Sequence, residues 1–399
     1  MPVAVPFLAV TILEVVWMVV ALLAMFTGLS VVVLSLTWLE RKALGRLQQR
    51  LGPTRTGLFG LMQPVADAVK LILKEDIIPN SSDRAIFWAA PVIVVLSAFM
   101  IWVTIPAAEG LVLRNLELGL FYITAFAVVG ILGLVLAGWG SANKYGVLGG
   151  LRSAAQLISY EIPIIMVVVA VGMMAQSLDL RVIVASQEQI PYAVLLPLGL
   201  VVFFIAGLAE VGRTPFDIYH AESEVVGGPF VEYSGAHWSV FFLAEYINTF
   251  AIAALVTLLF LGGWSWPWGS AALSWLPSLP DIAWLGPLLH LVWFLFKVYA
   301  VILVVFWIRG TFPRLRIDQL MAFAWKVMVP LSFFAIVITA VYLFYDWPAW
   351  TLTLMSLTGL VVVGYIVYRK MMEPARRIAE VKARQAAQAA QRQASRQTG

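Results

Sequence analysis

Five carboxylates, one arginine and one histidine lie close together directly after a long apolar run that ends at residue 210. Inside a bilayer, ionisable groups are costly and are normally retained for a function. This segment, residues 210–233, is called the acidic stretch below. Its ionisable members are Glu210, Arg213, Asp217, His220, Glu222, Glu224 and Glu232.

The spacing of the first three ionisable residues of the acidic stretch predicts which side of a helix would carry them. Glu210, Arg213 and Asp217 follow an i, i+3, i+7 pattern, so a continuing helix would place all three on one face. Pro215 would end or kink that helix. We therefore expect a helix that breaks near the membrane surface and leaves acids in a partly dry place.

Grouped carboxylates in a low dielectric repel one another and lose hydration, and both effects raise their pKa. Arg213 acts in the opposite sense on its nearest neighbours. Such a group can take up and release protons near neutral pH, as a proton relay requires. The same acids could instead coordinate Na⁺ or dock a basic partner, and the residues alone leave these alternatives open.

Three further ionisable residues lie in apolar segments. Glu161 precedes Ile162-Pro163, so the helix is expected to kink beside this carboxylate, and a functional acid is favoured at membrane depth. Glu245 begins another apolar segment, where function and interfacial solvation are equally favoured. Lys297 could snorkel, pair with an acid or serve a proton path, and the structural interpretations are favoured.

Composition indicates an all-α polytopic membrane protein. Of 399 residues, 62% are apolar and 12% charged, whereas soluble domains carry roughly 25% charged residues. The chain has no cysteine, which excludes disulfides, thiolate nucleophiles and cysteine-ligated iron–sulfur clusters within it. Its three histidines are too few and too scattered to predict a haem or zinc site, so no metal site is expected.

A spanning helix needs about 20 apolar residues, and about nine segments of a single transmembrane domain, 1–370, qualify or come close. No basic region precedes the first segment, so we expect a spanning helix there and not a cleaved signal peptide. The predicted spans are 15–38, 85–105, 118–140, 154–176, 190–210, 241–261, 288–308, 327–345 and 350–368.

The basic residues are distributed unevenly about these spans. Only Arg114 and Arg181 lie in the N-terminal segment and the even-numbered loops, and Lys297 lies within a span. The remaining Lys and Arg residues lie in the odd-numbered loops and after the last span, from Arg369 onward. The Ala/Gln-rich tail, 371–399, belongs to this last group, and we assign it no chemistry. The positive-inside rule then places the N-terminus outside and the tail in the cytoplasm, on the same side as the acidic loop 210–240.

The first cytoplasmic loop contains a short amphipathic segment, 58–75. Its apolar residues follow helical spacing, and Gln63, Asp67, Lys70 and Lys74 take the other side. This pattern is typical of a helix lying in the membrane interface. For the basic residues Lys42, Arg46 and Arg55 we favour an anchoring role over a specific one.

Several motifs in order give the chain a specific resemblance over roughly residues 15–345. It resembles the H subunit of the proton-pumping NADH–quinone oxidoreductase, respiratory complex I, which is called subunit 1 in mitochondria. Besides the acidic stretch, the motifs are Leu39-Glu-Arg-Lys-Ala-Leu-Gly45, Arg50-Leu-Gly-Pro53, Gln63-Pro-Val-Ala-Asp67, Leu151-Arg-Ser-Ala-Ala-Gln-Leu-Ile-Ser-Tyr-Glu161, Ala244-Glu-Tyr-Ile-Asn248 and Arg309-Gly-Thr-Phe-Pro-Arg-Leu-Arg316.

The resemblance implies a membrane subunit that is not catalytic alone. With peripheral quinone-module subunits it would wall a chamber that admits ubiquinone or menaquinone from the bilayer, beside small membrane subunits. Iron–sulfur clusters and FMN would belong to partner subunits, and this chain would bind no cofactor alone. Quinone reduction would be coupled to proton translocation across a bacterial plasma (inner) membrane. We expect no nucleic-acid partner.

The resemblance also assigns residues to these roles. The chamber entrance would lie among the first span, the interfacial segment and the sixth span. Chamber positions are Arg41, Arg50, Ala66, Asp67, Arg309, Arg314 and Arg316. Proton-relay positions are Glu161, Glu210, Arg213, Asp217, His220, Glu222, Glu224, Glu232 and Glu245. The family usually has an acid where this chain has His220, and a retained proton-carrying site is slightly favoured over a dispensable one.

Two other functions fit part of the pattern. An equivalent subunit of a membrane-bound hydrogenase, or of a complex with another electron donor, would share the fold. The chamber motifs favour a quinone reductase, since a proton-reducing relative would need no lipophilic substrate chamber. A stand-alone cation transporter would need no peripheral partner, whereas the basic loops and the acidic stretch indicate a docking surface.

Overall fold

The computed structural model describes residues 12–219, 222–265 and 285–369, and most of these residues are helical. Within these ranges the only β-type pairing is an isolated bridge between Ala108 and Leu111. The helices are α1 (Ile12–Leu47), α2 (Gln63–Leu73), α3 (Arg84–Ile101), α4 (Gly119–Gly140), α5 (Lys144–Ala175), α6 (Leu180–Ala185), α7 (Tyr192–Leu195), α8 (Pro197–Val211), α9 (Glu222–Val225), α10 (Gly235–Phe260), α11 (Leu285–Thr311), α12 (Ile317–Phe323), α13 (Val329–Tyr345) and α14 (Ala349–Arg369).

Eight described helical segments are long and apolar enough to cross a membrane. They are provided by α1, α3, α4, α5, α10, α11, the continuous segment Ile317–Tyr345, and α14. The predicted span 190–210 is divided between the single turn α7 and the shorter apolar helix Pro197–Val211. The prediction of an all-α polytopic membrane protein is confirmed.

Two helices extend well beyond their apolar cores into polar sequence. The first continues to Leu47, through the motif that contains Glu40. The fifth begins at Lys144, where the Asn143 side chain caps the helix by accepting from the Tyr145 N–H. An N-cap of this kind satisfies a main-chain donor that would otherwise have no partner. These extensions carry Glu40 and Arg152 to the acidic stretch, where they pair with Arg213 and Glu224.

The amphipathic segment of the first loop forms a short 3₁₀ turn, Leu58–Gly60, followed by α2. The helix begins at Gln63, next to Pro64, as expected for a proline in the first helical turn. Trp38 on α1 donates to the Phe59 carbonyl over 3.3 Å. Ile72 and Leu73 remain largely exposed on the side of α2 away from the protein.

The core is built around α5 and α10. The former packs against α4, α8 and α13, and the latter against α3, α8 and α11. Glycine permits the closest approaches, because a side chain at Gly138 would overlap the backbone of Gly146 across the α4–α5 contact. Likewise, a side chain at Gly149 would overlap the backbone of Gly228 in the acidic stretch. The acidic stretch is therefore packed directly on α5.

Lys297 on α11 holds the segment that follows α10. Its Nζ donates to the carbonyls of Leu261, Gly263 and Ser265 over 2.8, 2.9 and 2.9 Å. Carbonyls at a helix C-terminus lack intrahelical partners and attract a cation. All three ammonium donors are thus used in a structural contact of the kind that the sequence favoured.

Candidate functional site

The acidic stretch begins where α8 ends. The helix stops at Val211 because Gly212 adopts a left-handed conformation, with φ of 69°, which glycine accepts without steric cost. A side chain at Gly212 would also overlap the Tyr219 ring. The prediction that Glu210, Arg213 and Asp217 share one helical face is therefore wrong, since the helix ends between the first two, before Pro215.

Glu40, on the polar extension of α1, is the centre of a buried charge cluster. Its side chain is 5% exposed. Arg213 Nη1 lies 3.3 Å from Glu40 Oε2, and the Tyr246 hydroxyl donates to the same oxygen over 2.6 Å. Arg309 Nη1 on α11 donates to Glu40 Oε1. One carboxylate therefore joins α1, α10, α11 and the acidic stretch.

Arg213 connects Glu40 to Glu245. Its side chain is 3% exposed, and its Nε lies 3.1 Å from Glu245 Oε1. The guanidinium carbon stacks 4.2 Å from the centre of the Tyr246 ring. Burial alone would lower the pKa of Arg213, but the carboxylates of Glu245 and Glu40 outweigh it and raise the pKa above its ordinary value. Arg213 thus stays charged. The two negative charges of Glu40 and Glu245 balance the two positive charges of Arg213 and Arg309.

Asp217 and Tyr219 continue the cluster toward the loop after α11. Asp217 Oδ2 pairs with Arg314 Nη2 over 3.0 Å. The Tyr219 hydroxyl donates to the Val211 carbonyl over 3.2 Å. Burial raises the pKa of Tyr219 well above its ordinary value, and the charges of Glu245 and Asp217 add to the effect, so this phenol stays protonated. The acidic stretch is in this way fixed to two other segments.

A cavity of about 500 Å³, called the first cavity below, opens beside this cluster. Aromatic side chains of α10 form one wall, where the rings of Trp238 and Phe242 stack at 5.3 Å and those of Phe242 and Tyr246 lie 4.7 Å apart. Its other lining residues include Arg213, Asp217, Phe230, Glu245, Arg309 and Arg314. The space thus combines flat apolar surfaces with cations and acids.

A narrower cavity, called the second cavity below, lies among α3, α4, α5, α8 and α10 and has about 100 Å³ of space. Because one water needs about 10–15 Å³ measured in this way, it has room for several. Its polar lining comprises Ser97, Thr124, Glu161, Tyr219, Glu210, Glu245 and Asn248. Glu245 and Phe230 line both cavities, so Glu245 lies between them.

The remaining predicted acids fasten the acidic stretch to α5. Glu224 Oε2 pairs with Arg152 Nη1 over 2.7 Å. Glu232 Oε1 accepts from Asn143 Nδ2 over 2.6 Å. Neither lines the two cavities. His220 and the side chain of Glu222 lie outside the described residues.

The predicted chamber residues divide into two groups. Arg309 and Arg314 line the first cavity. By contrast, Arg41 pairs with Asp67 over 2.5 Å between α1 and α2, next to the exposed Ala66. Arg50 is exposed and donates to Gln48 over 2.6 Å, and Arg316 is exposed at the start of α12. The structure therefore brings neither Arg50 nor Arg316 into the charge cluster.

Sequence reasoning missed Glu40 and Tyr246 as site residues, although both lie within motifs that carry the family resemblance. His237 is another polar residue that the structure places in the interior. It lies buried in the first turn of α10, where its Nδ1 is 2.6 Å from Asp76 Oδ2 and its ring packs edge-on against Trp88.

Among the described residues, no group of three His, Cys, Asp or Glu side chains could hold a metal ion.

Comparison with known proteins places these features in a family. The model of the NADH dehydrogenase family matches residues 18–340. The H subunit of the NADH-quinone oxidoreductase of Dehalococcoides mccartyi strain CBDB1 is 44% identical over 322 residues, which cover 80% of this chain and 85% of the relative. The same subunit of Geobacillus kaustophilus is 45% identical over 328 residues, covering 80% of this chain and 94% of the relative.

A third relative, the H subunit of the NADH-quinone oxidoreductase of Brevibacillus brevis, is 43% identical over 330 residues, which cover 83% of this chain and 94% of the relative. The match to the family model includes the segments that carry the charge cluster and both cavities. The predicted resemblance to the H subunit of complex I is confirmed. The chain belongs to the NADH dehydrogenase family.

Proposed function

We propose that this chain is the membrane subunit of a proton-translocating NADH:quinone oxidoreductase that helps to form the quinone chamber and couples quinone reduction to proton movement. The names of its relatives support the first part of this proposal. The position of Glu245, on the walls of both cavities and 3.1 Å from Arg213, is the observation that carries the coupling role.

The first cavity fits a quinone head group. Its aromatic wall offers flat faces for a planar ring, and its arginines offer donors to quinone oxygens. The entrance would lie among α1, α2 and α10. Arg41 and Asp67 would hold α2 at its edge through their ion pair, and Ala66 would leave space for the isoprenoid tail.

The charge cluster provides a way to sense the reaction. Reduction of a quinone places negative charge in the chamber and draws protons there. Arg213 binds both Glu40 and Glu245, so added negative charge beside it weakens its hold on one of the two carboxylates. Glu245 is thereby released from its cation. It can then exchange a proton with Glu161 and Glu210 across the second cavity.

Electron carriers would come from partners. Cysteine thiolates are the usual ligands of iron–sulfur clusters, and this chain has none. Iron–sulfur clusters and FMN would therefore be held by peripheral subunits, docked against the exposed basic residues of the first loop. The complex would lie in a bacterial plasma membrane with the chain's N-terminus outside and its tail in the cytoplasm.

The test is made in the assembled complex with charge-neutralising variants. Glu210→Gln, Asp217→Asn and Glu245→Gln should each reduce quinone reductase activity and proton pumping by about 10²-fold, the lower range for loss of one proton-transfer group. Subunit content after purification in mild detergent should stay unchanged. Glu117→Gln, a matched change at an exposed acid, should have no effect.

Normal reductase activity and normal pumping in all three variants would rule out the coupling role.

Purification also distinguishes the proposed function from a hydrogenase subunit and from a cation transporter. Recovery with iron–sulfur and flavin subunits and NADH-dependent quinone reduction supports the proposal. Recovery with hydrogenase subunits, or alone and functional as a cation transporter, contradicts it.

A further inference from the structure

Asn248 has a buried polar atom that the protein does not satisfy. Its Oδ1 is inaccessible to solvent and has no hydrogen-bond partner among the described residues. Burial of an unpaired polar atom is unfavourable, so such atoms normally bind a water or a ligand. Glu161 Oε1 is in the same condition, and both residues line the second cavity.

Other buried amides of this protein behave differently. Gln187 donates to the carbonyls of Ile183 and Leu258 and accepts from the N–H of Gly262. Gln156 Nε2 donates to two main-chain carbonyls over 2.7 and 2.8 Å. Its Oε1 also has no hydrogen-bond partner among the described residues, but Gln156 does not line the second cavity. These two amides tie backbone segments together. Asn248, in contrast, is a lining residue of the second cavity.

The position of Asn248 relates it to the carboxylates. It lies three residues after Glu245 on α10, so the two side chains share a helical face, and both line the second cavity. Glu161 and Glu210 occupy other walls, from α5 and α8. A carboxamide both donates and accepts hydrogen bonds, so it can orient a water whichever neighbouring carboxyl carries the proton.

We propose that Asn248 is a positioning residue, whose carboxamide holds the water that joins Glu245 to Glu161 across the second cavity. This inference rests on the proposed function of the carboxylates as a proton relay. It adds a neutral side chain to a pathway that is otherwise made of ionisable groups. Asn248 takes up no proton itself and acts through the water that it orients.

The test compares Asn248→Ala with Asn248→Ser in the assembled complex. The two side chains differ by one hydroxyl and leave nearly the same space, so any effect on packing is shared. The alanine variant should pump protons about tenfold more slowly, the effect of roughly one lost hydrogen bond. The serine variant should retain at least half of the wild-type rate, because its hydroxyl still binds water.

Thr257→Val is the matched control on the same helix, since Thr257 donates to the Ala253 carbonyl and does not line the cavity. It should pump normally. Equal loss in the alanine and serine variants, failure of both to assemble, or full activity of the alanine variant would each overturn the inference. Glu161→Gln and Glu245→Gln are measured in parallel. If these two pump normally, the proposed function fails; if they are inactive while Asn248→Ala is normal, only the present inference fails.

Discussion

Glu40 shows how a single carboxylate can organise charges from distant parts of the chain. It accepts from Tyr246 and pairs with Arg213 and Arg309, and it is almost fully buried. Buried ions are tolerated when they are paired and hydrogen-bonded, whereas removal of one partner leaves an uncompensated charge. The two arginines therefore depend on Glu40 for their position.

Neutralising Glu40 should affect the site more than neutralising an acid at its rim. In Glu40→Gln, Arg213 and Arg309 lose a shared counterion, a change that typically costs about 3–5 kcal/mol. We expect quinone reductase activity to fall at least tenfold and the thermal stability of the purified complex to decrease. Glu40→Asp, which retains the charge, should recover part of both.

The comparison for Glu40 is Glu224→Gln, which removes a half-exposed ion pair with Arg152. Partly exposed pairs contribute little, about 0–1 kcal/mol, so this variant should keep most of its stability. Wild-type stability and activity in Glu40→Gln would show that the buried cluster is not a functional unit.

The sequence predicted some of these residues for a physical reason and missed others for an equally physical one. Glu210, Glu161 and Glu245 adjoin or interrupt apolar runs, and the cost of a charge there singles them out. Glu40 lies in a basic, polar run, where an acid needs no explanation. Glu40 belongs to the site because it contacts Arg213, which lies 173 positions away in the chain. A local sequence pattern cannot predict a contact at that separation.

At the scale of elements, α1 and α2 form one wall of the proposed chamber entrance. The Arg41–Asp67 ion pair and the hydrogen bond from Trp38 to Phe59 fix the second helix to the first. Exposed apolar residues of α2, such as Ile72, face away from the protein, as expected of a helix that lies in the interface. Ala66 is the small exposed residue next to the ion pair.

A bulky residue at Ala66 should therefore hinder long-tailed quinones more than short-tailed ones. In Ala66→Phe, we expect the apparent KM for a quinone with a long isoprenoid tail to rise several-fold, with little change for a short-chain analogue. Leu73→Phe, at the exposed end of the same helix, is the control and should change neither value. Equal effects on both quinones would indicate distortion of the helix and not obstruction of an entrance.

The bounds of a helix were predicted well where an apolar run sets its length, and less well where the helix continues into polar sequence. Apolar runs predicted the cores of α3, α4 and α11 closely, but gave no signal for the polar extensions of α1 and α5. Helix α8 has 15 residues, about 22 Å at 1.5 Å per residue, which is short of a hydrocarbon layer of about 30 Å. A π-helical turn, Ala324–Met328, joins α12 to α13. It contains no proline, so the sequence contained no signal of a change in the helix there.

For the whole molecule, the ends of the helices define two sides. The charge cluster brings together the C-terminal ends of α1 and α11, the segment after α8 and the N-terminal half of α10. These ends belong to one side of an alternating bundle. On the other side, the segment before α4 contacts the one before α6 through Asn115 and Asp179, 2.9 Å apart. The loops rich in Lys and Arg lie on the first side, and the positive-inside rule therefore predicts that this side is cytoplasmic.

Single cysteines can test this orientation, because the chain has none of its own. In Glu109→Cys, at a position 77% exposed on the second side, a membrane-impermeant maleimide should label intact spheroplasts. In Ser395→Cys, in the basic tail, the same reagent should label only inverted vesicles. The unlabelled parent chain provides the background for both. Reversed labelling would place the charge cluster outside the cell, where cytoplasmic electron-carrying subunits could not reach it, and the proposed function would fail with the topology.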